Sequence, residues 1–595
     1  MKALILAAGF GNRMRPLTDV VHKTLLKVGN ETIIERIING LQANGITDIV
    51  VVTGYRADEL KQYLLSRYSQ INFTFVNNPR YRETNNIYSM ALAFNEIEIN
   101  DDILLIESDL VYENKVIEKI INSPYPNAAL VDKYRSGMDG TVVSVANDVV
   151  TNIIPTHLQG EEFDFSDKYK TLNIYKFSKE FCNKDFRRLL TYYAKVIDDN
   201  SYYELILGIL IYVQKEVIHA EILHGEEWSE VDDPNDLRVS EFVFNKEKRL
   251  EILETTFGGY WSHDIVDFCF IRNMYFPNKS MISEIRNNLV RLMQSYGSRQ
   301  NILNQKLAYF LLCNLGSVNL LNGVSQIYPI LQTAYKTEKV LLPEPTFGEY
   351  PRIFRNSVVY ADKVGIDTDE IADKDKDCRV VVFVNPNNPT GTLLSSSYLH
   401  NYAARNPEKI VLVDESYIDF SGSVSMLELL EKDPLRNVIV IKSLSKVLGV
   451  PGIRIGFVYT QNSDFSMQVK NTLPIWNSNS IAEFFLEIIL KHRQSLAQSF
   501  LQTINDRETF AAKLAAQDFI EEVYRSGGNF ILVKFKNNAK LSGLVTWLLV
   551  RHSCYIKDVS GKFNNGGYYA RFAVRFPEEN NRLVEHMRAY FSQPQ

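Results

Sequence analysis

Short apolar runs that break off into polar or glycine-rich turns recur along this chain, and they constrain its fold more than any other feature. KALILA (2–7) runs straight into AGFGNRMRPLT; DIVVVTG and DDILLIESD follow. Later come RVVVFVNP (379–386), IVLVDES (410–416) and NVIVIKS (437–443). Unbroken apolar runs of this length read as strands buried on both faces. Helical segments lie between them, including TIIERIINGLQANG, which stops at Gly45, and DELKQYLLSRY. This alternation predicts an α/β fold with mostly parallel sheets and ligands at the carboxyl ends of the strands. The rhythm stops in the polar stretch RVSEFVFNKEKRLEILETTFGG and then resumes. The expected organisation is two domains, 1–245 and 246–595, since 595 residues exceed what one core usually serves.

Composition narrows the function classes. The chain is 45% apolar and 23% charged, with net charge −6 and no long basic run, so no nucleic-acid partner is expected. The start MKALILAAG is too short for a signal peptide, and no run approaches the ~20 apolar residues of a membrane span. No membrane partner is expected. Five scattered cysteines show no metal-ligand spacing. They read as reduced core residues, which predicts a cytoplasmic protein.

The first strand feeds Ala8, Gly9, Phe10, Gly11, Asn12 and Arg13. Glycines there let backbone N–H groups approach a phosphate chain, and Arg13, Arg15 and Lys23 supply cations for it. Asp109, which ends ILLIESD, and Asp232, in WSEVDDPNDL, are hard oxygen donors that suit Mg²⁺. Asp233 and Asp236 read equally well as caps of the following helix. The string GxGxRxxPxT followed by a lysine resembles the nucleotidyltransferases that make nucleoside diphosphate sugars and CDP-alcohols. That resemblance implies a Rossmann-like domain in which Lys23 acts on the triphosphate and Asp109 and Asp232 hold the metal. His22-Lys23 stands where the family has Pro-Lys. ETNNIYSMALAF (83–94) resembles the choline-phosphate cytidylyltransferase branch, which implies CTP as the nucleotide, read by Thr84, Asn85, Asn86 and Ser89. Asn85 or Asn86 also reads as a helix cap. Asp139, Tyr202, Tyr203 and Glu204 are candidates for an acceptor's cationic head, although tyrosines in a helix are more often core.

In the second part, Lys446 follows NVIVIKS in Ser443-Leu444-Ser445-Lys446, with Arg454 in GIRIG. A lysine can bond covalently to the aldehyde of pyridoxal phosphate, while serines and an arginine grip its phosphate. Asp414 ends IVLVD and can keep the pyridine nitrogen protonated. Tyr417 and Asn388 can hydrogen-bond the ring oxygen, and Phe347 can stack on the ring. The turn LNGVSQ, with Gly323 and Val324, can offer backbone N–H groups to the phosphate. Taken in order, NPNNPTG, VDESY, SLSK and GIRIG resemble the fold-type-I aminotransferases, over about residues 255–595. The nearest look is the histidinol-phosphate aminotransferase branch with its threonine-phosphate decarboxylase relatives. The resemblance implies pyridoxal 5'-phosphate as cofactor, a homodimer through this domain, and Arg571 as the clamp on the amino-acid carboxylate. Arg575 stands where the family usually has glycine. On a strand it shares a face with Arg571, so it is read either as a second anion grip or as a surface ion pair.

Two chemistries in one chain suggest a shared intermediate. The combination resembles phosphonate cytidylyltransferases fused to a 2-aminoethylphosphonate transaminase. It implies transamination of phosphonoacetaldehyde and transfer of CMP from CTP to the resulting 2-aminoethylphosphonate. Two alternatives stay open: a phospho-amino-acid decarboxylase paired with a phosphocholine or phosphoethanolamine cytidylyltransferase, and a second domain that only senses the cofactor or dimerises.

Overall fold

The computed structural model describes residues 1–135, 137–160, 162–363, 365–536 and 541–593. It divides into two compact units, Met1–Asp264 and Ile265–Gln595. The first unit extends beyond the expected boundary near 245. The reason is local: helix Arg249–Thr256 follows helix Pro234–Phe244, and buried Arg249 donates to the carbonyls of Phe242 (2.8 Å) and Val243 (2.9 Å).

The first unit is built on one sheet. Its strands are Lys2–Ala7 (β1), Asp48–Thr53 (β2), Asn72–Asn77 (β3), Ile103–Glu107 (β4), Ala128–Lys133 (β5), Val142–Ala146 (β6), Val149–Ile154 (β7), Tyr169–Phe177 (β8) and His219–Ile222 (β9). Their order is β3-β2-β1-β4-β8-β5-β9-β7-β6. Along β1, Ala3, Ile5 and Ala7 enter one core while Leu4 and Leu6 enter another. Burial on both faces is why the run shows no alternation. Helix Ile33–Ala43 covers one face; Thr32 and Glu35 cap it reciprocally, and it stops ahead of Gly45, where φ is 77°.

Only half of this sheet is parallel. β3, β2, β1 and β4 run together, but β8 lies antiparallel to β4 and β5, and β6 and β7 form a hairpin. This corrects the expectation of a mostly parallel sheet. Asn147 and Asp148 turn the hairpin at φ 51° and 59°, the conformation that a two-residue β-turn needs. β3 was also not foreseen, since its NFTFVN is a half-exposed edge rather than a continuous apolar run.

The second unit carries strands Val318–Leu321 (β10), Val340–Glu344 (β11), Ser357–Ala361 (β12), Val380–Val384 (β13), Ile410–Asp414 (β14), Val438–Ser443 (β15) and Gly456–Thr460 (β16). The order is β10-β16-β15-β14-β13-β11-β12, parallel from β15 to β12 and antiparallel at β16. Val381, Val411 and Val438 face one core, and Val380, Leu412 and Ile439 the other. A smaller antiparallel sheet joins Ile520–Val523 (β17), Phe530–Phe535 (β18), Lys557–Asp558 (β19) and Tyr568–Ala573 (β20), in the order β17-β18-β20-β19.

Candidate active sites

The carboxyl ends of β1 and β4 open onto a cavity of about 820 Å³ in the first unit. Ala8, Gly9, Gly11, Asn12, Arg13, Lys23, Thr84, Asn85, Ser89, Asp109, Asp139, Tyr202, Glu204 and Asp232 all line it. Gly11 sits at φ 61°, and a Cβ there would stand 3.1 Å from Thr18 Cγ2 and 3.3 Å from Lys23 Cβ. The turn is thus closed against the lysine's own stem. Lys23 Nζ bridges Asp109 (3.0 Å) and Asp232 (3.0 Å), and Arg13 meets the other oxygen of Asp232 at 2.8 Å. Burial opposes the ammonium charge of Lys23, but the two aspartates outweigh it and hold the pKa above the usual lysine value. Burial likewise opposes the charge of Asp232, yet Lys23 and Arg13 pull its pKa down.

The geometry gives neighbouring carboxylates different partners. Asp233 caps helix Pro234–Phe244 and accepts from Asn235 and Asp236, whereas Asp232 points to Lys23. Arg15 is turned to Asp19 at 2.8 Å and is not among the cavity's lining residues, which corrects its expected phosphate role. His22 is buried; its ring bonds the Ala7 carbonyl (3.2 Å) and the Thr24 hydroxyl (2.9 Å), and burial lowers its pKa to about 4. A neutral imidazole therefore fills the place of the usual proline. Tyr203 is fully buried and belongs to the core, while Tyr202 is exposed at the cavity rim. Asn85 caps helix Asn86–Glu96, and the Ser89 and Thr84 hydroxyls both accept from Asn78 (3.0 and 3.2 Å).

Several lining residues escaped the sequence reading. Glu107, Glu230 and Lys170 are the new ones; with the expected Asp109, Asp139, Glu204 and Asp232 they give six carboxylates against the three cations Arg13, Lys23 and Lys170. Lys170 is buried and pairs with Glu230 at 3.2 Å. Burial, and then the neighbouring carboxylates, push the Glu107 pKa well above the usual value; Glu230 rises to about 7, chiefly through burial. Among the described residues, Asp109 Oδ1 and Glu204 Oε2 are buried without a hydrogen-bond partner. Such a cluster is suited to cations.

In the second unit, Lys446 lies on the short helix Leu444–Val447 directly after β15. Burial, then Arg571 and Arg454, lower its pKa to about 8. Asp414, at the end of β14, is buried and accepts from the Tyr350 hydroxyl (2.8 Å), the Ser416 amide (3.0 Å) and the Ser416 hydroxyl (2.6 Å). Asn388 accepts from Arg571 (2.8 Å) and hydrogen-bonds the Tyr417 hydroxyl, whose pKa burial raises to about 12. Arg454 reaches the Ser325 hydroxyl at 3.2 Å. Gly323 precedes the turn Val324–Gln326 at φ 76°, and a Cβ there would fall 2.3 Å from Arg454 Nη2. Ser443 donates its amide to Ser416, while the buried Ser445 hydroxyl is given to the Ile455 carbonyl at 3.2 Å. Phe347 is about one-third exposed and lies 6.4 Å from the Tyr328 ring.

Arg575 departs from expectation. It lies beyond β20, is buried, and is held by Glu579 (3.0 and 2.9 Å) and the Asp267 carbonyl (2.9 Å). Its donors are spent inside the fold, so it is neither a free anion grip nor a surface ion pair. A different cation, Lys562, donates to the Thr346 carbonyl at 2.7 Å, and burial, with Arg571 and Lys557, lowers its pKa to about 8. Nothing in the GKFNNGG loop signalled this.

Residues 273–585, more than half of the chain, match the family model of class I and II aminotransferases. The chain belongs to that family. Residues 2–131 of this aminotransferase also match the nucleotidyl transferase model. It is 28% identical to the CMP-5'-(3-aminopropyl)phosphonate synthase of Streptomyces rubellomurinus, across 98% of this chain and 94% of that protein. The histidinol-phosphate aminotransferase of Chlorobium limicola is 30% identical over 47% of this chain and 79% of its own length. The solved structure of a decarboxylase from Sulfurospirillum multivorans aligns at TM-score 0.52 and 25% identity, covering 58% of this chain and 92% of that one. The aminotransferase is thus an enzyme with two activities, nucleotidyl transfer and a pyridoxal phosphate-dependent reaction.

The residues present fit that cofactor. A buried Asp414 with no ion pair among the described residues suits a protonated ring nitrogen, and the Gly323–Arg454 cradle, which a Cβ would fill, suits a phosphate. The orphaned Asp109 Oδ1 beside Asp232 suits a magnesium ion.

Proposed function

We propose that the chain makes a short aminoalkylphosphonate and activates it with CTP in the cytoplasm. The second unit converts phosphonoacetaldehyde to 2-aminoethylphosphonate with an amino acid donor such as alanine. The first unit joins the phosphonate oxygen of that product to the CMP moiety of CTP and releases pyrophosphate. One observation carries the reading: a single cavity joins the glycine turn and Lys23 to a surplus of carboxylates. The turn suits a triphosphate, and the surplus suits a metal and an acceptor with a cationic head. The match along nearly the whole length of a CMP-aminoalkylphosphonate synthase supports the same class.

The chemistry asks for placement more than for acid or base. A phosphonate oxygen already ionised near neutral pH attacks the α-phosphorus, and the bond to pyrophosphate breaks. Lys23 and Arg13 neutralise the departing charge, while Asp109 and Asp232 would hold Mg²⁺, which would supply positive charge to the phosphate oxygens. Asp139 and Glu204 receive the acceptor's ammonium group. In the second unit, bound pyridoxal phosphate serves as an electron sink between amine donor and aldehyde acceptor. Asp414 would keep its ring nitrogen protonated, Tyr417 and Asn388 would hydrogen-bond its ring oxygen, Phe347 would pack on the ring, and Gly323, Val324, Ser443, Ser445 and Arg454 would hold its phosphate. Lys446 would be the covalent attachment point and, once released, would carry the proton. Arg571 clamps the donor carboxylate, and Lys562 takes the phosphonate role that Arg575 does not fill. A homodimer through this unit is part of the proposal.

The test supplies CTP and Mg²⁺ with 2-aminoethylphosphonate, 3-aminopropylphosphonate, phosphocholine or phosphoethanolamine and measures pyrophosphate. Preference for either phosphonate supports the proposal, and preference for phosphocholine or phosphoethanolamine defeats it. Carbon dioxide released from a phosphorylated amino acid, without amine formed from the aldehyde, would assign the second unit to decarboxylation instead.

A further inference from the structure

A second cavity, about 470 Å³, lies in the first unit and shares no lining residue with the nucleotide cavity. It is bounded by the helical segment that runs from Lys179 through Cys182–Phe186 and Arg187–Tyr192 to Tyr193–Ile197. Phe181, Phe186, Leu190 and Ala194 are buried in the core beneath it. Lys184, Arg187, Arg188 and Lys195 line the groove together, brought there by an α-helix Arg187–Tyr192 flanked by two π-helical turns, with a kink at Lys184. None of the four has an ion-pair partner among the described residues, and no carboxylate lines the groove. Tyr192 and Val196 line it as well. With Ile197 they are unusually exposed for their type, at 57%, 63% and 59%.

The two halves of this pattern need one occupant. Four unpaired cations on a short segment repel one another and attract an anion. A soluble phosphate ester would neutralise them yet leave Tyr192, Val196 and Ile197 in water. A second copy of the same face would bring like charges together. An anionic lipid surface meets both demands, since its phosphates face the cations and its headgroup boundary receives the apolar side chains. We propose that this face docks the protein peripherally on an anionic phospholipid membrane. Among the described residues no helix is long and apolar enough to cross a membrane, and this docking needs none. The inference rests on charge and exposure alone and stands apart from the substrate proposal.

The full chain is sedimented with vesicles of phosphatidylcholine alone or with added phosphatidylglycerol, at low and high salt. Pelleting is expected only with phosphatidylglycerol, and salt should release it. The double variant R187E/R188E should lower the partition by about twentyfold or more. V196S/I197S should lower it by roughly tenfold while the charge is kept. Both variants should retain cytidylyl transfer in solution, which shows that the unit is folded. Failure of the wild type to pellet overturns the proposal, as does pelleting that ignores R187E/R188E. Equal affinity for inorganic polyphosphate, indifferent to V196S/I197S, would assign the groove to a soluble polyanion. Dimerisation lost in V196S/I197S, with no vesicle binding, would assign it to a second copy.

Discussion

Replacing Lys23 by glutamine tests the centre of the nucleotide cavity. Glutamine keeps most of the side chain's bulk and removes its charge. In the structure Nζ is 3.0 Å from both Asp109 and Asp232, with the lysine side chain 13% exposed. The catalytic expectation follows from what the cation faces. Removing one preorganised donor aimed at developing charge costs roughly 2.7–4 kcal/mol, or about 10²–10³ in kcat. Stability changes by a separate route. Two partly buried carboxylates lose their shared cation, and breaking a buried pair costs about 3–5 kcal/mol. Arg13 remains 2.8 Å from Asp232, so the loss should fall below that range. Added Mg²⁺ should restore part of the stability but not the rate. The assay is pyrophosphate release at saturating CTP, with transamination by the second unit measured in the same preparation as the folding control. A kcat within about threefold of wild type, a barrier change of under 1 kcal/mol, would refute the assignment of Lys23 to the departing phosphate. A parallel fall in both activities would instead indicate a folding defect.

Two other predictions concern the second unit. Burial and the charges of Arg571 and Arg454 depress the Lys446 pKa to about 8, with Asp414 and Asp267 opposing them. Below that value the folded apoprotein carries a penalised ammonium. Between about 8 and the usual 10.5 the unfolded chain binds more protons, so this group's contribution to stability rises with pH across that window. Covalent loading of the apoprotein with pyridoxal phosphate, followed by visible absorbance, should accelerate through pH 8, and K446A should abolish it. A loading rate flat from pH 7 to 9 would contradict the assigned environment. The second prediction separates two cations: R575A should lower the melting temperature by breaking its Glu579 pair without changing KM for the phosphonoaldehyde, whereas K562A should raise that KM by about tenfold or more. Reversed effects would return Arg575 to the substrate.

Local chemistry made several parts of this protein legible in its sequence. Strands buried on both faces announced themselves as unbroken apolar runs, and the residues at their carboxyl ends, Asp109, Asp414 and Lys446, followed directly. The glycine turn was equally local, because Gly11 must adopt a positive φ against the Lys23 stem. The antiparallel half of the first sheet was less legible: β6, β7 and β9 are half-exposed, buried β8 carries Lys170, Thr171 and Asn173 within its run, and the β6–β7 pairing turns on Asn147-Asp148.

Other properties existed only once distant segments met. Asp232 and Asp233 are chemically alike and adjacent; the fold gives one to Lys23 and the other to a helix cap. Arg571 and Arg575 differ in the same way, one reaching Asn388 and the other locked by Glu579 and the Asp267 carbonyl. Glu107, Glu204 and Glu230 become an acidic cluster because β4, helix Glu204–Tyr212 and the segment before Asp232 converge on one cavity. The sequence by itself determined the two reaction types, since each is carried by contiguous residues whose backbone conformation is local. Tertiary structure decided which charges are neutralised, desolvated or free, because those depend on separations of a few ångströms between residues far apart in the chain.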